Sequence, residues 1–200
     1  MLSKGPHISI EAASLVPRIL RISQQEFSGW PEAVRRLAMD IASELFLVRY
    51  NPFIAAETVK KSVQKRFEEV LPGLAHHFST SIGEGITMFW SAHESDMAFR
   101  RELISRLSAL LPPECIDTRR HSLVENATDA TDLRLELPLL VVTPQTVTQV
   151  SDVVRLANEM HFALVPRGSG TGLTGGAVPA RKRSVVLSLT KLTAIGPVDE

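Results

Sequence analysis

The sequence predicts a mixed α/β (α+β) fold, with an all-helical region in residues 1–112 and a parallel βαβ unit in residues 113–200. In the first region apolar residues recur at helical spacing, which is typical of helices that pack on one face. After Pro112-Pro113, short apolar runs rich in branched side chains alternate with an amphipathic segment and a glycine-rich loop. This change of pattern predicts a domain boundary between residues 112 and 113.

The N-terminal region is predicted to form helices over residues 10–24, 30–49, 56–71 and 94–111. Pro31 lies in the first turn of the second helix, where a proline is well tolerated. Pro72-Gly73 ends the third helix, and the proline pair at 112–113 ends the fourth. Residues 74–93 stay unassigned, because Gly83 and Gly85 interrupt any continuous pattern.

The C-terminal region contains short, apolar segments typical of buried strands, at residues 139–142, 162–165 and 185–189. Pro144 follows the first strand, and Pro166 is expected to end the second. Residues 146–160 lie between these strands. Their pattern predicts an amphipathic helix with Val147, Val150, Val154 and Ala157 on its apolar side. Two strands joined by such a helix imply a right-handed parallel crossover.

Composition excludes several classes of protein. Because 22 basic residues balance 22 acidic ones, the chain offers no electrostatic footprint for nucleic acid or an anionic membrane. Its one cysteine, Cys115, excludes an internal disulfide and a four-thiolate metal site. The N-terminal residues lack the apolar core of a signal peptide, and no run approaches the roughly 18 apolar residues of a membrane span. We therefore expect a cytoplasmic protein that reaches a membrane only through a partner.

A glycine-rich loop follows the second predicted strand. Residues 166–176 read Pro-Arg-Gly-Ser-Gly-Thr-Gly-Leu-Thr-Gly-Gly, and five of the chain's 11 glycines fall within residues 168–176, here called the glycine loop. Glycine reaches positive φ without steric cost and lets the backbone approach a ligand closely. Successive N–H groups can then converge on an anion. Ser169, Thr171 and Thr174 add hydroxyl donors, so the loop is predicted to bind phosphate groups.

Neither of the two common nucleotide motifs fits this loop. Gly170-x-Gly172-x-x-Gly175 matches the Rossmann string, but that motif needs its third glycine in a helix. Here residues 176–179 contain a proline and lead directly to a strand, and no acidic residue ends that strand. A Walker loop is excluded, because no glycine of the loop is followed by Lys and then Ser or Thr. A simple turn is disfavoured, because tight turns rarely need so many glycines.

Three stretches, in this order, resemble the FAD-binding half-domain of the vanillyl-alcohol oxidase/PCMH-type family, which includes the glycolate oxidase large subunit and the D-lactate dehydrogenases. They are residues 129–144, 148–158 and 166–176, followed by the strand at 185–189. The resemblance covers roughly residues 114–200. It implies that FAD is the cofactor and that Arg167 braces the loop or neutralises phosphate charge. The residues implied to bind the FAD pyrophosphate are Gly168, Ser169, Gly170, Thr171, Gly172, Gly175 and Gly176.

The resemblance also implies an activity: an FAD-dependent oxidoreductase that oxidises a small substrate, such as the 2-hydroxy acids D-lactate or glycolate, with hydride transfer to FAD. Family enzymes continue with a second part of the flavin domain and a substrate domain. We therefore interpret the chain as a fragment, truncated at its C-terminus, that is inactive alone and holds FAD weakly or not at all. Its catalytic residues would lie outside this chain, and a companion electron-transfer subunit is a further partner to consider. The alternative is a non-catalytic or vestigial interaction module whose helices dock a partner subunit.

The remaining candidate residues favour structural roles. The six histidines lack metal-binding spacing, so no metal site is predicted. Trp30 and Trp90, together with Phe89, are expected in the core. Cys115 has no patterned base beside it and is interpreted as structural. The basic triplet 181–183 could face a phosphate or an acidic partner, but a solvated turn before a strand is the favoured interpretation.

Overall fold

The computed structural model describes residues 10–131 and 135–194, with side chains from residue 14 onwards. The chain divides into two compact units, residues 1–95 and 96–200. The predicted domain boundary after residue 112 stays a prediction, and the structure groups nearly all of the fourth predicted helix, residues 96–111, with the second unit.

The first unit consists of helices that pack around one core. Their bounds are α1 Ile10–Leu20, α2 Gln24–Ser28, α3 Glu32–Tyr50, α4 Ala56–Val70 and the first part of α5 His76–Ser108. The predicted helices at 30–49 and 56–71 are confirmed as α3 and α4. The helix predicted at 10–24 is confirmed over residues 10–20 but ends earlier than predicted, because Arg21 adopts a left-handed φ of 59°. Ser23 then caps α2 by accepting a hydrogen bond from the Glu26 amide at 3.1 Å.

Helix α5 is much longer than predicted. It begins at His76 instead of residue 94 and runs without a break through Gly83 and Gly85. A Cβ at position 85 would lie 2.6 Å from the backbone oxygen of Leu20, so glycine permits α5 to approach the end of α1 closely. Packing therefore outweighs the low helix propensity of glycine, about 1 kcal/mol per residue relative to alanine.

Trp30, Trp90 and Phe89 belong to the core of the first unit, as predicted. Trp30 and Trp90 are buried, with 6% and 7% of their surface exposed. Trp30 contacts Phe27 and Phe78 edge-on, and Trp90 contacts Phe89 in the same manner. These contacts leave neither indole available for a ligand ring in the described structure, which favours a packing role.

The second unit is built on a four-stranded sheet. Its elements are β1 Ile116–Asp117, α6 Arg120–Glu125, β2 Leu140–Val142, α7 Val147–Met160, β3 Ala163–Arg167 and β4 Ser184–Ser188. The described strands follow the order β1-β2-β4-β3, with β2 and β3 both parallel to β4 and β1 antiparallel to β2. The mixed α/β class is therefore confirmed. The parallel relation of β2 and β3 is also confirmed, but β4 lies between them, and the handedness of their crossover stays a prediction.

Two details of this unit differ from the sequence-based expectations. Pro166 does not end β3 but lies within it, opposite Leu187 of β4. Proline is tolerated there because β3 is at an edge of the described sheet. In α7, Val147 and Val154 are 77% and 41% exposed, whereas the buried residues of that helix are Val153, Leu156 and Ala157. The apolar side of α7 was therefore only partly predicted.

The two faces of the sheet carry different apolar clusters. On one face Leu140, Val142 and Val185 pack with Leu103 and Leu107 of α5 and with the buried side of α7. The other face holds a small cluster made of Val141, Val165 and Val186, which are direct neighbours across β2, β4 and β3. This burial on both faces explains why the strands appear in the sequence as continuous apolar runs.

The basic triplet before β4 lies in a turn with Arg181 and Lys182 exposed, as the favoured interpretation predicts, and it also has an acidic partner. Asp96 of α5 forms ion pairs with Arg183, at 2.9 Å, and with Lys182, at 3.9 Å. The Arg183 guanidinium also lies 4.5 Å from the centre of the Phe99 ring. The expected acidic partner is thus within the same unit, on the part of α5 that extends beside the sheet.

Cys115 is buried, and burial raises the pKa of its thiol above the ordinary value. A buried thiol with a raised pKa is a poor nucleophile at neutral pH, which agrees with the structural role predicted for it.

Asp117 provides a prediction for the pH dependence of stability. Its carboxylate accepts hydrogen bonds from the guanidinium and the amide of Arg119, at 2.6 Å and 2.9 Å. These bonds lower the pKa of Asp117 from 3.8 to about 2. A carboxyl whose pKa is lowered by folding stabilises the protein only while it is ionised, so this contribution is lost as the pH falls from about 4 to about 2. Urea unfolding over that range should show a smaller loss of stability in Asp117→Asn than in the wild type. Equal losses would contradict the prediction.

In the part of the chain that the structure describes, none of the helices combines the length and apolar character needed to span a membrane.

Candidate functional site

The glycine loop starts where the parallel strands end. It follows Arg167, the last residue of β3, which pairs with Ser188 at the end of β4. The amide of Leu189 donates to the carbonyl oxygen of Arg167 at 2.9 Å, so the chain leaving β4 is tied to the same place. The carboxyl ends of parallel strands are where open α/β sheets bind their ligands. The loop therefore has the position of a ligand-binding element.

Most of the glycine loop faces solvent. Only Gly170 and Gly175 are half-buried, and the remaining residues of the loop are exposed. Leu173 at the centre of the loop is 77% exposed, which is unusual for a large apolar side chain. Ser169 and Thr171 bring their hydroxyl oxygens to within 3.3 Å of each other. The exposed surface of the loop thus carries two hydroxyls beside a run of main-chain amides.

The main-chain amides of the loop are uncommitted. Within residues 10–131 and 135–194, no N–H group of residues 168–176 donates a hydrogen bond to a backbone or side-chain acceptor. The carbonyl of Gly175 does accept a bond from the amide of Val178, at 3.2 Å. Polar backbone groups of folded proteins nearly always have a partner, either within the protein or in water or a ligand. These amides are therefore available to an external anion.

The glycines of the loop serve two different purposes. Gly170 and Gly175 have φ values of 74° and 73°, in the left-handed region that favours glycine. Gly168 and Gly172 do not need this freedom, and a Cβ on either one would meet no protein atom within 4 Å. The expectation that the loop glycines adopt positive φ is therefore confirmed for Gly170 and Gly175, and not for Gly168 and Gly172. The second pair leaves open space beside the backbone, where a ligand could approach.

The side chain of Arg167 packs against the glycine loop next to Gly170. Its Nη1 donates to the carbonyl oxygen of Thr128 at 2.7 Å, and a Cβ at position 170 would lie 2.2 Å from its Nη2. The guanidinium thus fills the space next to Gly170 and is already hydrogen-bonded. Of the two roles considered for Arg167 from the sequence, this geometry favours the structural one.

Asp129 lies near Arg167 and Ala177, at the two ends of the glycine loop, and was not singled out from the sequence. Its Oδ1 accepts hydrogen bonds from the hydroxyl of Thr131 and from the amide of Thr131, the latter at 2.9 Å. The hydroxyl bond is the main reason why the pKa of Asp129 is below its ordinary value, and the nearby charge of Arg167 adds to it. Its Oδ2 is buried and has no hydrogen-bond partner among the described residues. An aspartate two residues before a threonine is the sequence signal of such a local turn.

Comparison with known proteins identifies the part of the chain that carries the loop. Residues 138–200 match the FAD binding domain family. This match confirms the predicted family for that segment and FAD as the cofactor of the domain. It includes all the residues predicted to bind the cofactor, from Arg167 to Gly176. Their individual roles toward FAD stay predictions.

Curated proteins with similar sequences are oxidoreductases by name. D-lactate dehydrogenase of Archaeoglobus fulgidus is 43% identical over 56 residues, which is 28% of this chain and 12% of that protein. D-2-hydroxyglutarate dehydrogenase of Stutzerimonas stutzeri is 38% identical over 84 residues, 42% of this chain and 18% of that protein. Glycolate oxidase subunit GlcD of Bacillus subtilis is 28% identical over 100 residues, 50% of this chain and 21% of that protein. The matched segments span about a fifth or less of these relatives, and they confirm the predicted resemblance of this segment to glycolate oxidase and the D-lactate dehydrogenases.

The first unit contains a separate surface groove of about 630 Å³ along α4 and α5. Phe67 and Ile86 provide apolar walls, and Gln64, Thr80 and Glu84 provide polar ones. No residue of the FAD-binding segment lines this groove. Among the described residues no group of three or more His, Cys, Asp or Glu side chains could hold a metal ion.

Proposed function

We propose that the glycine loop binds the diphosphate of FAD in a flavin-dependent oxidoreductase that oxidises a small 2-hydroxy acid. The observation that supports this most directly is the run of amides at the carboxyl end of β3 that donate no hydrogen bond to any of the described residues. The residues proposed to contact the diphosphate are Gly168, Ser169, Gly170, Thr171, Gly172, Gly175 and Gly176, with Arg167 as their support.

In this proposal the binding energy comes from neutral donors. No lysine or arginine occurs in the glycine loop, and the guanidinium of Arg167 already donates to Thr128. A hydrogen bond to a charged group contributes about 1.5–3 kcal/mol, so three or four amide bonds would suffice to hold a diphosphate. The hydroxyls of Ser169 and Thr171 are close enough to each other to contact the same phosphate group. Amide dipoles thus replace the lysine that other phosphate loops use.

The substrate class rests on the named activities of the relatives. D-lactate, D-2-hydroxyglutarate and glycolate are all 2-hydroxy acids, and we propose the same class here. When bound, FAD would accept the hydride of the substrate, while the protein supplies position and electrostatics. The residues of this chain would contribute binding and orientation of the cofactor. A cytoplasmic location and an electron-accepting partner subunit are further parts of the proposal.

A flavin titration tests the proposed binding. We expect the chain to bind FAD weakly, so that at high protein concentration it raises the fluorescence anisotropy of FAD and leaves riboflavin, which lacks the diphosphate, largely free. ADP should compete with FAD, whereas adenosine should not, because only ADP carries a diphosphate. Equal binding of FAD and riboflavin would contradict recognition through the loop. Absence of binding to either flavin would favour the alternative of a partner-dependent interaction module.

A further inference from the structure

The segment Thr128–Thr131, here called the brace segment, contacts Arg167 before the glycine loop and lies near Ala177 after it. Before the loop, Nη1 of Arg167 donates to the carbonyl oxygen of Thr128 at 2.7 Å. After the loop, the amide dipole of Ala177 acts favourably on the Asp129 carboxylate, although no hydrogen bond of ordinary geometry joins them. Two adjacent residues, Thr128 and Asp129, thus interact with the two residues that flank the loop.

The Asp129 carboxylate is unusual in its hydrogen bonding. Thr131 saturates one oxygen with its amide and its hydroxyl, while the other oxygen is buried and accepts no hydrogen bond within the described ranges. A buried acceptor without a partner destabilises the folded protein. The hydroxyl of Thr131, with smaller contributions from the amide of Ala177 and the charge of Arg167, favours the ionised carboxylate and lowers the pKa of Asp129.

We propose that Asp129 is a positioning residue for the FAD diphosphate, acting through the glycine loop. With the carbonyl of Thr128, it fixes the two ends of the loop, so that the amides of residues 168–176 are ordered before the nucleotide arrives. Ordering a loop in advance lowers the entropic cost of binding. This inference rests on the proposed function for its ligand, but its structural part concerns the free protein alone.

The structural part is tested without any nucleotide. We expect amide order parameters from ¹⁵N relaxation to fall in residues 168–177 of Asp129→Ala, toward the flexible range below about 0.6, while β2 and β4 keep values of about 0.85. Asp129→Asn keeps an oxygen that can accept from Thr131 and should give an intermediate loss of order. Thr131→Val removes the hydroxyl donor and should also loosen the loop. Asp152→Asn is the control, since Asp152 pairs with Arg155 on α7, outside the brace segment.

The ligand part is tested with FAD as the probe. If the wild-type chain binds FAD, Asp129→Ala should weaken binding about tenfold or more, and the loss should follow the loss of order across the variants. A loop that stays ordered in Asp129→Ala, or a loss of order that spreads equally to β2 and β4, would overturn the positioning role. Unchanged FAD affinity beside a loosened loop would also overturn it. Failure of the wild-type chain to bind FAD would instead count against the proposed function, since the order parameters are measured without the nucleotide.

Discussion

Replacing Gly172 with valine is expected to abolish flavin binding without reducing the stability of the protein. Because a Cβ at this position meets no protein atom within 4 Å and the residue does not have a positive φ, the fold accepts a side chain there. That side chain would instead occupy the space through which the diphosphate must approach the amides. Losing two or more hydrogen bonds to a charged group corresponds to a loss of affinity of about a hundredfold or more. Flavin anisotropy and thermal unfolding on the same samples provide the measurement.

Gly170→Val should lose both flavin binding and stability. Its φ of 74° is unfavourable for valine, and its Cβ would overlap Nη2 of Arg167 at 2.2 Å. Strain of this kind costs about 1–3 kcal/mol. Gly73→Val is the control for both variants, because position 73 is also open and lies in the first unit. If Gly172→Val retained full flavin affinity, the diphosphate could not lie against this part of the loop.

The second large effect is a loss of stability expected from substituting Gly85, a glycine of α5 in the first unit. Gly85→Ala should destabilise the protein by about 1–3 kcal/mol, because the new Cβ would lie 2.6 Å from the backbone oxygen of Leu20. Backbone atoms cannot move aside as the end of a flexible side chain can, so α1 and α5 must separate locally. Urea unfolding followed by far-ultraviolet circular dichroism measures the change.

Gly83→Ala is the matched comparison on the same helix. Its Cβ would lie 3.5 Å from the ring of Phe67, an ordinary van der Waals contact. Because alanine has the higher helix propensity, this variant should gain up to about 1 kcal/mol. A loss of stability in Gly85→Ala together with a gain in Gly83→Ala would show that close packing against Leu20, and not a general need for flexibility in α5, requires a glycine at position 85. Similar effects at both positions would contradict this interpretation.

The local patterns of the sequence were sufficient to predict β2, β3, β4 and the loop, whereas the short strand β1 was not predicted. Branched apolar runs identify β2 and β4, because strands buried on both faces need no alternation of polar residues. The five glycines of residues 168–176 identify the loop, because few other structures need so many residues without a Cβ. Each of these signals is contained in its own short segment, so no knowledge of distant parts of the chain was required.

The features that were missed depend on contacts between distant segments. Nothing near Gly85 in the sequence shows that Leu20 packs against it, so the pattern suggested a break where α5 is continuous. The insertion of β4 between β2 and β3 likewise depends on long-range pairing. Asp96 lies 87 residues before Arg183, and their ion pair could not be inferred from the basic triplet alone. Asp129 stands out only when its neighbours Arg167 and Ala177 are known.

The absence of lysine and arginine from the glycine loop has a consequence for selectivity. The field of an amide dipole weakens with distance faster than that of a full charge, so the loop attracts anions only when they fit against it. Highly charged cellular polyanions such as nucleic acids are concentrated by basic surfaces, and this loop offers them no such surface. A loop of this kind selects ligands by their fit to the amides more than by their total charge. Such selectivity suits the binding of one cofactor in the presence of many other phosphorylated metabolites.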